Sequence, residues 1–184
     1  IKLKGGINFM LKIITEELPE KDYNTMYQTY YKFFLSMDGF LADKIFKNSP
    51  KNPIRKSAFN ALDSIHNDNT AFYLYYLYDK LISFGRIYHH DNILHLGEIL
   101  FTQDEDKAFV IDLILQELEL FANSNNYTTL EIEIPKGNSD LINLALNQGY
   151  DFIEENPETA AIFKTYVLYK DIYERTNSSK QRNR

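Results

Sequence analysis

Glu98 is the residue of this sequence that is best suited to proton transfer. It lies in the mostly apolar run 97–101 (Gly-Glu-Ile-Leu-Phe), within a segment that predicts a strand from Ile93 to Thr102. A carboxylate in such a setting can accept a proton from a reacting group. The alternative is structural. A buried charge is costly unless it is paired, so Glu98 can also reach the sheet edge or pair with Arg86 on the neighbouring strand.

Histidine and serine residues give a weaker basis for chemistry. Residues 89–91 (His-His-Asp) fall in a predicted turn and His95 in the next strand, whereas a metal site needs three or four ligands that converge. Adjacent residues in a turn rarely point the same way, so no metal site is predicted. Ser64 and Ser83 have no His and Asp partners in the sequence that would indicate a hydrolase triad.

The composition limits the classes of protein to consider. The chain has 184 residues, of which 44% are hydrophobic and 25% charged, as in a single soluble globular domain. The absence of cysteine excludes disulfides and thiolate chemistry. The net charge of −6 opposes a nucleic-acid partner, and no apolar run approaches the roughly 18 residues of a membrane span. We therefore expect a cytoplasmic protein without nucleic-acid or membrane partners.

The two ends of the sequence are expected to lie outside the fold. Residues 1–9 precede the first methionine, and Lys4-Gly5-Gly6 can be encoded by a purine run that recruits bacterial ribosomes. We interpret residues 1–9 as a translated leader. Residues 174–184 contain no apolar side chain and are predicted to be a disordered polar tail. A single domain over residues 10–173 remains.

Hydrophobic periodicity predicts how strands and helices follow one another. Aromatic residues recur at three- and four-residue spacing after Glu20 and predict one buried face of a helix. The two runs around Asp79-Lys80 predict a hairpin. The predicted order is a strand at 11–15, helices from 20 and at 57–66, strands at 71–78, 81–88 and 93–102, a helix at 108–122, a strand at 129–134, a helix at 139–147 and a last strand at 161–170.

The segment from Ile93 to Tyr150 resembles the acyl-CoA-binding half of the GNAT superfamily of N-acyltransferases. Its order of strand, acidic turn, helix, strand and helix matches that family. Asn138 opens the second helix, and Gly149-Tyr150 follow it at the family's spacing. The closing strand 166–171 is also similar, and the resemblance covers roughly residues 11–171. It implies an α/β (α+β) fold with a mixed, mostly antiparallel central sheet of about six or seven strands and helices on both faces.

The resemblance also implies a site for acetyl-CoA as cosubstrate. In the family, a strand lends backbone groups to the pantetheine arm, and a glycine-rich turn at a helix N-terminus wraps the pyrophosphate. The cofactor-binding residues carried over to this sequence are Phe101 and Thr102 through their main chain, then Lys107, Ala108, Phe109, Val110 and Asn138. Some family members hold a general base on the strand that contains Glu98, so the resemblance implies that Glu98 is the catalytic residue.

Two positions depart from the family pattern. The loop region 103–112 contains no glycine, and the acidic residues 104–106 lie where the phosphates would bind. A like-charge contact at 4 Å costs about 4 kcal/mol at an effective dielectric constant near 20. The family's acid tyrosine would fall at Ala145. Binding of CoA is therefore expected to be weak or to use a rearranged loop.

These observations lead to two hypotheses of function. The first is an N-acetyltransferase that moves acetyl from acetyl-CoA to an amine of a small molecule or protein, with Glu98 as base, directly or through water. The alternative is a catalytically silent GNAT-like module that binds or regulates a partner and has lost CoA-phosphate binding. A further hypothesis is a homodimer formed through the tyrosine-rich hairpin 71–88 or the last strand.

Overall fold

The computed structural model describes residues 8–36, 53–103, 106–135, 138–153 and 165–172. Several predictions concern residues outside these ranges and are not taken further. They are the first seven residues of the leader, the acidic residues 104 and 105, and the tail 174–184.

Within the described ranges, the chain forms a mostly antiparallel sheet of eight strands, four α-helices and one 3₁₀ helix. This confirms the predicted α/β fold, and the strand number exceeds six or seven because β5 and β7 have only two residues each. The strands are β1 (Phe9–Ile14), β2 (Thr70–Leu77), β3 (Lys80–His90), β4 (Ile93–Leu96), β5 (Leu100–Phe101), β6 (Thr129–Pro135), β7 (Asp151–Phe152) and β8 (Thr165–Asp171). The helices are α1 (Glu20–Leu35), α2 (Pro53–Asp63), α3 (Lys107–Ser124) and α4 (Ser139–Asn147), with the 3₁₀ helix at Ser64–His66.

The chain divides into two compact units, and the first comprises residues 1–85 and 100–104. Here β1 pairs antiparallel with β2, whose neighbour is β3, and β5 pairs antiparallel with β3. Strand β2 is buried along nearly its whole length, as expected for a central strand covered on both faces. Met26 and Tyr30 of α1 and Leu62 of α2 pack in the same core, which confirms the apolar face predicted for the first helix.

A buried carboxylate lies within this core. The Tyr76 hydroxyl of β2 donates a hydrogen bond to Asp22 Oδ2 of α1 at 2.6 Å. Burial and the neighbouring Asp22 charge both raise the pKa of Tyr76, so its hydroxyl stays protonated and keeps donating. Asp22 therefore has a structural partner in this unit.

The second unit comprises residues 86–99 and 105–184. Its strand order is β3, β4, β6, β8, β7, and β4 pairs parallel with β6 while the other described pairs are antiparallel. Leu94, Leu130 and Leu168 are fully buried, as are Ile114 and Leu118 of α3. Helix α3 packs on β6 and on α4. This apolar layer fixes one face of the strands and leaves the other face to polar side chains.

The predicted continuous strand 93–102 is interrupted, and this expectation was wrong. Ile87 of β3 lies opposite Leu96, whereas Phe84 lies opposite Leu100. Ile87 and Phe84 are three residues apart on β3, whereas their partners Leu96 and Leu100 are four residues apart. The segment 97–99 therefore holds one extra residue. Such an insertion is a β-bulge, which bends a strand and redirects a side chain.

Other boundaries differ because of local turn chemistry. Helix α2 begins at Pro53, not at Ser57, because proline is well suited to the first position of a helix. Strand β7 was not predicted.

Phe9, part of the predicted leader, is buried and stacks on Tyr75 in the first unit. The leader and the single domain over residues 10–173 stay predictions. Within the described ranges, no helix is both long and apolar enough to cross a membrane.

Candidate functional site

The bulge after β4 carries Glu98, the predicted catalytic residue. Its side chain is 14% exposed, and the Arg86 guanidinium meets it as a fork. Arg86 Nε donates to Oε1 at 2.7 Å and a terminal nitrogen donates to Oε2 at 3.1 Å. Paired N–H donors of this kind form strong, directional contacts with a carboxylate. The ion pair that the sequence analysis considered for Glu98 is therefore present.

Tyr88 covers the backbone of the bulge. A Cβ atom placed on Gly97 would lie 2.7 Å from Tyr88 Cε2, so the ring occupies the space that a side chain at this position would need. The Arg86 guanidinium lies 5.7 Å from the centre of the ring. Burial raises the pKa of Tyr88; the Arg86 charge acts against this, and the Glu98 and Glu133 charges add to it. The hydroxyl is therefore protonated at neutral pH.

His95 of β4 lies between two carboxylates of β6. Its Nδ1 is 3.2 Å from Glu131 Oε2, and its Nε2 is 3.8 Å from Glu133 Oε2. Burial by itself lowers the pKa of His95, but hydrogen bonds with Glu133 and Glu131 and their charges raise it above its ordinary value. The imidazole is thus held as a cation into a higher pH range than usual.

These groups lie on one face of the second unit. Arg86 and Tyr88 are two residues apart on β3, Tyr88 lies opposite His95, and His95 lies opposite Glu131. Residues with this spacing point to the same side of a sheet. The face combines three carboxylates with one guanidinium and one imidazole, a set that can exchange protons and attract a cation. Among the described residues, no group of three His, Cys, Asp or Glu side chains could hold a metal ion.

The N-terminus of α3 is where the resemblance implies phosphate binding. Asp106 caps this helix: its side-chain Oδ1 accepts from Phe109 N at 3.3 Å, and its main-chain oxygen accepts from Val110 N at 3.0 Å. The Val110 bond is the first regular i→i−4 bond of the helix, so one of the N–H groups that an anion would use, that of Phe109, already has an acceptor. Lys107 and Ala108 are exposed, and the Val110 side chain is buried.

The predicted pantetheine contacts, Phe101 and Thr102, lie in the first unit. Thr102 N donates to Ile82 O at 3.1 Å, and Thr102 Oγ1 donates to Leu81 O at 2.7 Å. Both groups of Thr102 are therefore directed to β3. Hydrogen-bonding direction alternates along an antiparallel strand, so the peptide groups of Phe101 face away from β3.

Gln103 follows these two residues and has an unusual side chain. Its Oε1 accepts from Lys80 Nζ, whereas its Nε2 is buried and has no hydrogen-bond partner among the described residues. A buried donor without an acceptor costs about 1–3 kcal/mol, so buried donors usually have one in native proteins. The sequence analysis treated Gln103 only as the start of the loop. Its position at the first place of the family's turn was the signal that could have singled it out.

Helix α4 contains the remaining two predicted positions. Asn138 Oδ1 accepts from Leu141 N at 3.2 Å, so this side chain caps the helix as serine, aspartate or asparagine commonly do. Ala145 is fully buried, and its carbonyl accepts from Tyr150 N at 3.1 Å. Gly149 has a φ of 85°, the left-handed conformation that glycine commonly adopts just beyond a helix end.

Sequence reasoning found part of this arrangement. It named Glu98 and its pairing with Arg86, and it weighed His95 only as a metal ligand. It did not predict the carboxylates around His95, because Glu131 lies 36 residues away in sequence. The signal that could have found them is the alternation of Glu131 and Glu133 with apolar residues in a strand parallel to the one carrying His95.

Comparison with known proteins gives a likeness in structure alone. No protein-family model matches the sequence, and no curated protein matches it. The PaiA N-acetyltransferase of Thermoplasma acidophilum, solved in complex with coenzyme A, superposes with a TM-score of 0.60 at 13% identity, over 88% of this chain and 99% of that one. A point mutant of the SpeG spermidine N-acetyltransferase of Vibrio cholerae gives 0.63 at 13% identity, over 92% and 98%.

A third solved structure gives the same result. The ribosomal-protein-S18-alanine N-acetyltransferase of Escherichia coli has a TM-score of 0.57 at 14% identity and covers 89% of this chain and 94% of that one. Together these structures show that the chain has the fold of the GNAT N-acyltransferases, as the resemblance implied. At such identities the likeness establishes the fold, and function depends on the site.

Proposed function

We propose that this protein is a GNAT-type N-acetyltransferase that transfers the acetyl group of acetyl-CoA to an amine. The observation that carries this proposal is the position of Glu98. Its half-buried side chain lies on the β-bulge beside Arg86, next to the sheet face that contains Tyr88 and His95. Glu98 accepts the proton of the attacking amine, directly or through a water molecule. Its contact with Arg86 orients the carboxylate before the reaction.

The acceptor is an amine of a small molecule or of a protein. Two of the similar structures are named for amine substrates, spermidine in one and an alanine of a ribosomal protein in the other. The three carboxylates Glu98, Glu131 and Glu133 supply a field that favours a cationic amine. Since Arg86 and His95 offset part of this charge, we expect moderate selectivity for amines over neutral nucleophiles.

Acetyl-CoA fits the residues in part. The Phe101 peptide groups face away from β3 and suit the pantetheine arm, and the buried Gln103 Nε2 suits an acceptor oxygen. Lys107, Ala108, Phe109, Val110 and Asn138 remain the predicted contacts for the rest of the cosubstrate. The Asp106 carboxylate on the α3 N-terminus opposes the phosphates. We therefore propose weak acetyl-CoA binding that is limited by this charge.

The second candidate is a catalytically silent GNAT-like module. Two observations favour it: Asp106 already caps the helix end that would bind an anion, and Arg86 engages both carboxylate oxygens of Glu98. In such a module the polar face is a stable ion-pair network, and the protein acts by binding a partner.

An acetyl-transfer assay separates the two candidates. Free CoA is measured with a thiol reagent after incubation with acetyl-CoA and a panel of amines that includes a diamine, spermidine and a peptide with an N-terminal alanine. The chain has no cysteine, so the reagent reports CoA without background from the protein. The proposal expects amine-dependent release that is lost in Glu98→Gln and kept in Glu20→Gln, an exposed glutamate in the first turn of α1. Release that is absent with every amine favours the silent module, and amine-dependent release that is equal in both variants contradicts the role given to Glu98.

A further inference from the structure

A cavity of about 450 Å³ lies in the first unit, where the turn after β1 meets the start of α1 and the end of α2. Its lining residues come from these three segments and from the 3₁₀ helix that follows α2. They are Glu16, Glu17, Leu18, Tyr23, Leu62, Asp63, Ile65 and His66. The polar face around Glu98 belongs to the second unit, so the cavity shares no residue with it.

The inner wall of this cavity is apolar. Leu18, Leu62 and Ile65 are at most 8% exposed and belong to the hydrophobic core of the first unit. Tyr23 of α1 adds an aromatic ring that is 36% exposed, so part of its surface is open to a ligand. Small-molecule sites typically have a volume in this range and combine apolar and aromatic walls with a few polar groups.

The outer wall of the cavity is acidic. Glu16, Glu17 and Asp63 are exposed, and none of them forms an ion pair with another residue that the structure describes. Asp63 precedes the 3₁₀ helix, yet its side chain makes no capping hydrogen bond there. The Asp63 carboxylate is therefore open to a ligand, and the two glutamates add to the negative potential around it.

The combination of the two walls distinguishes an organic cation from a metal ion. Among the described residues, no three His, Cys, Asp or Glu side chains are arranged to hold a metal ion. A small hydrated cation would also leave the apolar wall in contact with water. An amine with an apolar body uses both walls, because its ammonium group is attracted by a carboxylate and its body removes apolar surface from water.

We propose that this cavity binds an arylalkylamine in its ammonium form. The ammonium group contacts Asp63, and the aryl ring packs against Tyr23 and covers Leu62 and Ile65. Aromatic rings that pack in offset or edge-to-face geometry gain more than their buried area alone provides. The proposal needs neither acetyl-CoA nor acetyl transfer, and it is independent of the role proposed for Glu98.

Calorimetric titration with 2-phenylethylamine, in the absence of acetyl-CoA, tests the ligand class. The comparison compounds are 2-phenylethanol, which lacks the charge, 3-phenylpropanoate, which has the opposite charge, and methylamine, which lacks the apolar body. We expect saturable binding of 2-phenylethylamine, at least about tenfold weaker binding of each comparison compound, and a loss of affinity at high salt. No saturation at about 20 mM overturns the proposal. Equal binding of 2-phenylethanol or methylamine also overturns it, because one of the two walls then contributes nothing.

Two substitutions test the location. Asp63→Asn removes the charge without breaking a capping hydrogen bond, and Tyr23→Leu removes the ring and keeps an apolar side chain. Each is expected to weaken the binding of 2-phenylethylamine about fivefold or more. Urea denaturation checks that both variants are folded, and Asp63→Asn tests the location by itself if Tyr23→Leu is not.

Asp79→Asn is the matched control, because it removes an exposed acid from the same unit. Asp79 follows the far end of β2, and the eight residues of this strand span roughly 26 Å at about 3.3 Å per residue. We expect it to bind 2-phenylethylamine as the wild type does. Wild-type affinity in both cavity variants overturns the proposal. A loss of affinity in Glu98→Gln alone places the amine on the polar face of the second unit and overturns it as well.

Discussion

Two regions of the second unit, the polar face around the β-bulge and the N-terminus of α3, satisfy their charged groups in different ways. At the bulge, Glu98 lies against Arg86, and His95 lies against Glu131. At the helix end, the Asp106 carboxylate accepts a hydrogen bond from the Phe109 amide of its own helix. The first arrangement pairs groups of opposite charge, whereas the second places a negative charge where a helix attracts anions. The difference teaches that the polar face already pairs its charged groups with one another, whereas the helix end carries a charge that opposes the binding of an anion.

The largest effect is expected from Glu98→Gln. Removal of a general base lowers kcat by about 10²- to 10⁴-fold, and the KM for acetyl-CoA is expected to change little, because Glu98 does not contact the phosphates in this account. Steady-state kinetics with the best amine of the panel measure both quantities.

Arg86→Gln is the matched variant, because it breaks the same ion pair and leaves the carboxylate in place. We expect it to retain more activity than Glu98→Gln. Equal losses of activity in the two variants indicate that activity depends on the ion pair and not on Glu98 as a base. A Glu98→Gln variant within about twofold of the wild type contradicts the role given to the bulge.

Gly97→Ala disturbs the bulge through packing. The added methyl group would lie 2.7 Å from Tyr88 Cε2, so the ring or the strand must move, at an expected cost of about 1–3 kcal/mol in the free energy of unfolding. Urea denaturation measures this loss. In the double variant with Tyr88→Ala, the cost of Gly97→Ala is expected to shrink, because the colliding ring is gone. Strictly additive losses contradict the close approach of Gly97 and Tyr88.

Asp106→Asn tests the helix end without removing the cap, since asparagine caps helices about as well as aspartate. Loss of one like charge near the phosphates is expected to tighten acetyl-CoA binding by roughly 1 kcal/mol, or about fivefold. The gain is expected to shrink at high salt because ions screen exposed charges. Asp140→Asn at the start of α4 is the control. Unchanged or weaker binding by Asp106→Asn counts against the charge conflict.

His95→Gln should give the smallest effect, and one that depends on pH. The folded-state pKa of His95 is raised by Glu133 and Glu131 against the effect of burial. The cation therefore contributes stability below the ordinary histidine value of about 6.5 and loses it as pH rises through the raised pKa. We expect a loss of roughly 1 kcal/mol near pH 6 that declines by pH 9, measured by urea denaturation. A loss that grows with pH contradicts this assignment.

Local signals explain what the sequence analysis predicted well. Helix α4 spans Ser139–Asn147, the residues predicted, because Asn138 and Gly149 mark its two ends within a few residues of chain. The buried face of α1 followed from the spacing of its aromatic residues. The Glu98 and Arg86 pair could be named because the two strands are joined by a short turn.

Contacts between distant residues explain the rest. The bulge depends on how β3 opposes two separate strands and on the Tyr88 ring above Gly97, and neither can be read from residues 93–102. The carboxylates around His95 belong to β6, which pairs in parallel with β4 although helix α3 separates the two strands in sequence. The Lys170 and Glu119 pair joins residues 51 positions apart. A single sequence carries no direct record of such pairings.

Calorimetric titration of acetyl-CoA into the wild type and Asp106→Asn, at low and high salt, tests the central claim most directly. The account predicts weak but saturable binding to the wild type and tighter binding to Asp106→Asn, with the difference largest at low salt. The absence of binding to either protein at millimolar ligand would contradict an acetyl-CoA-dependent function for this fold and would favour the silent module.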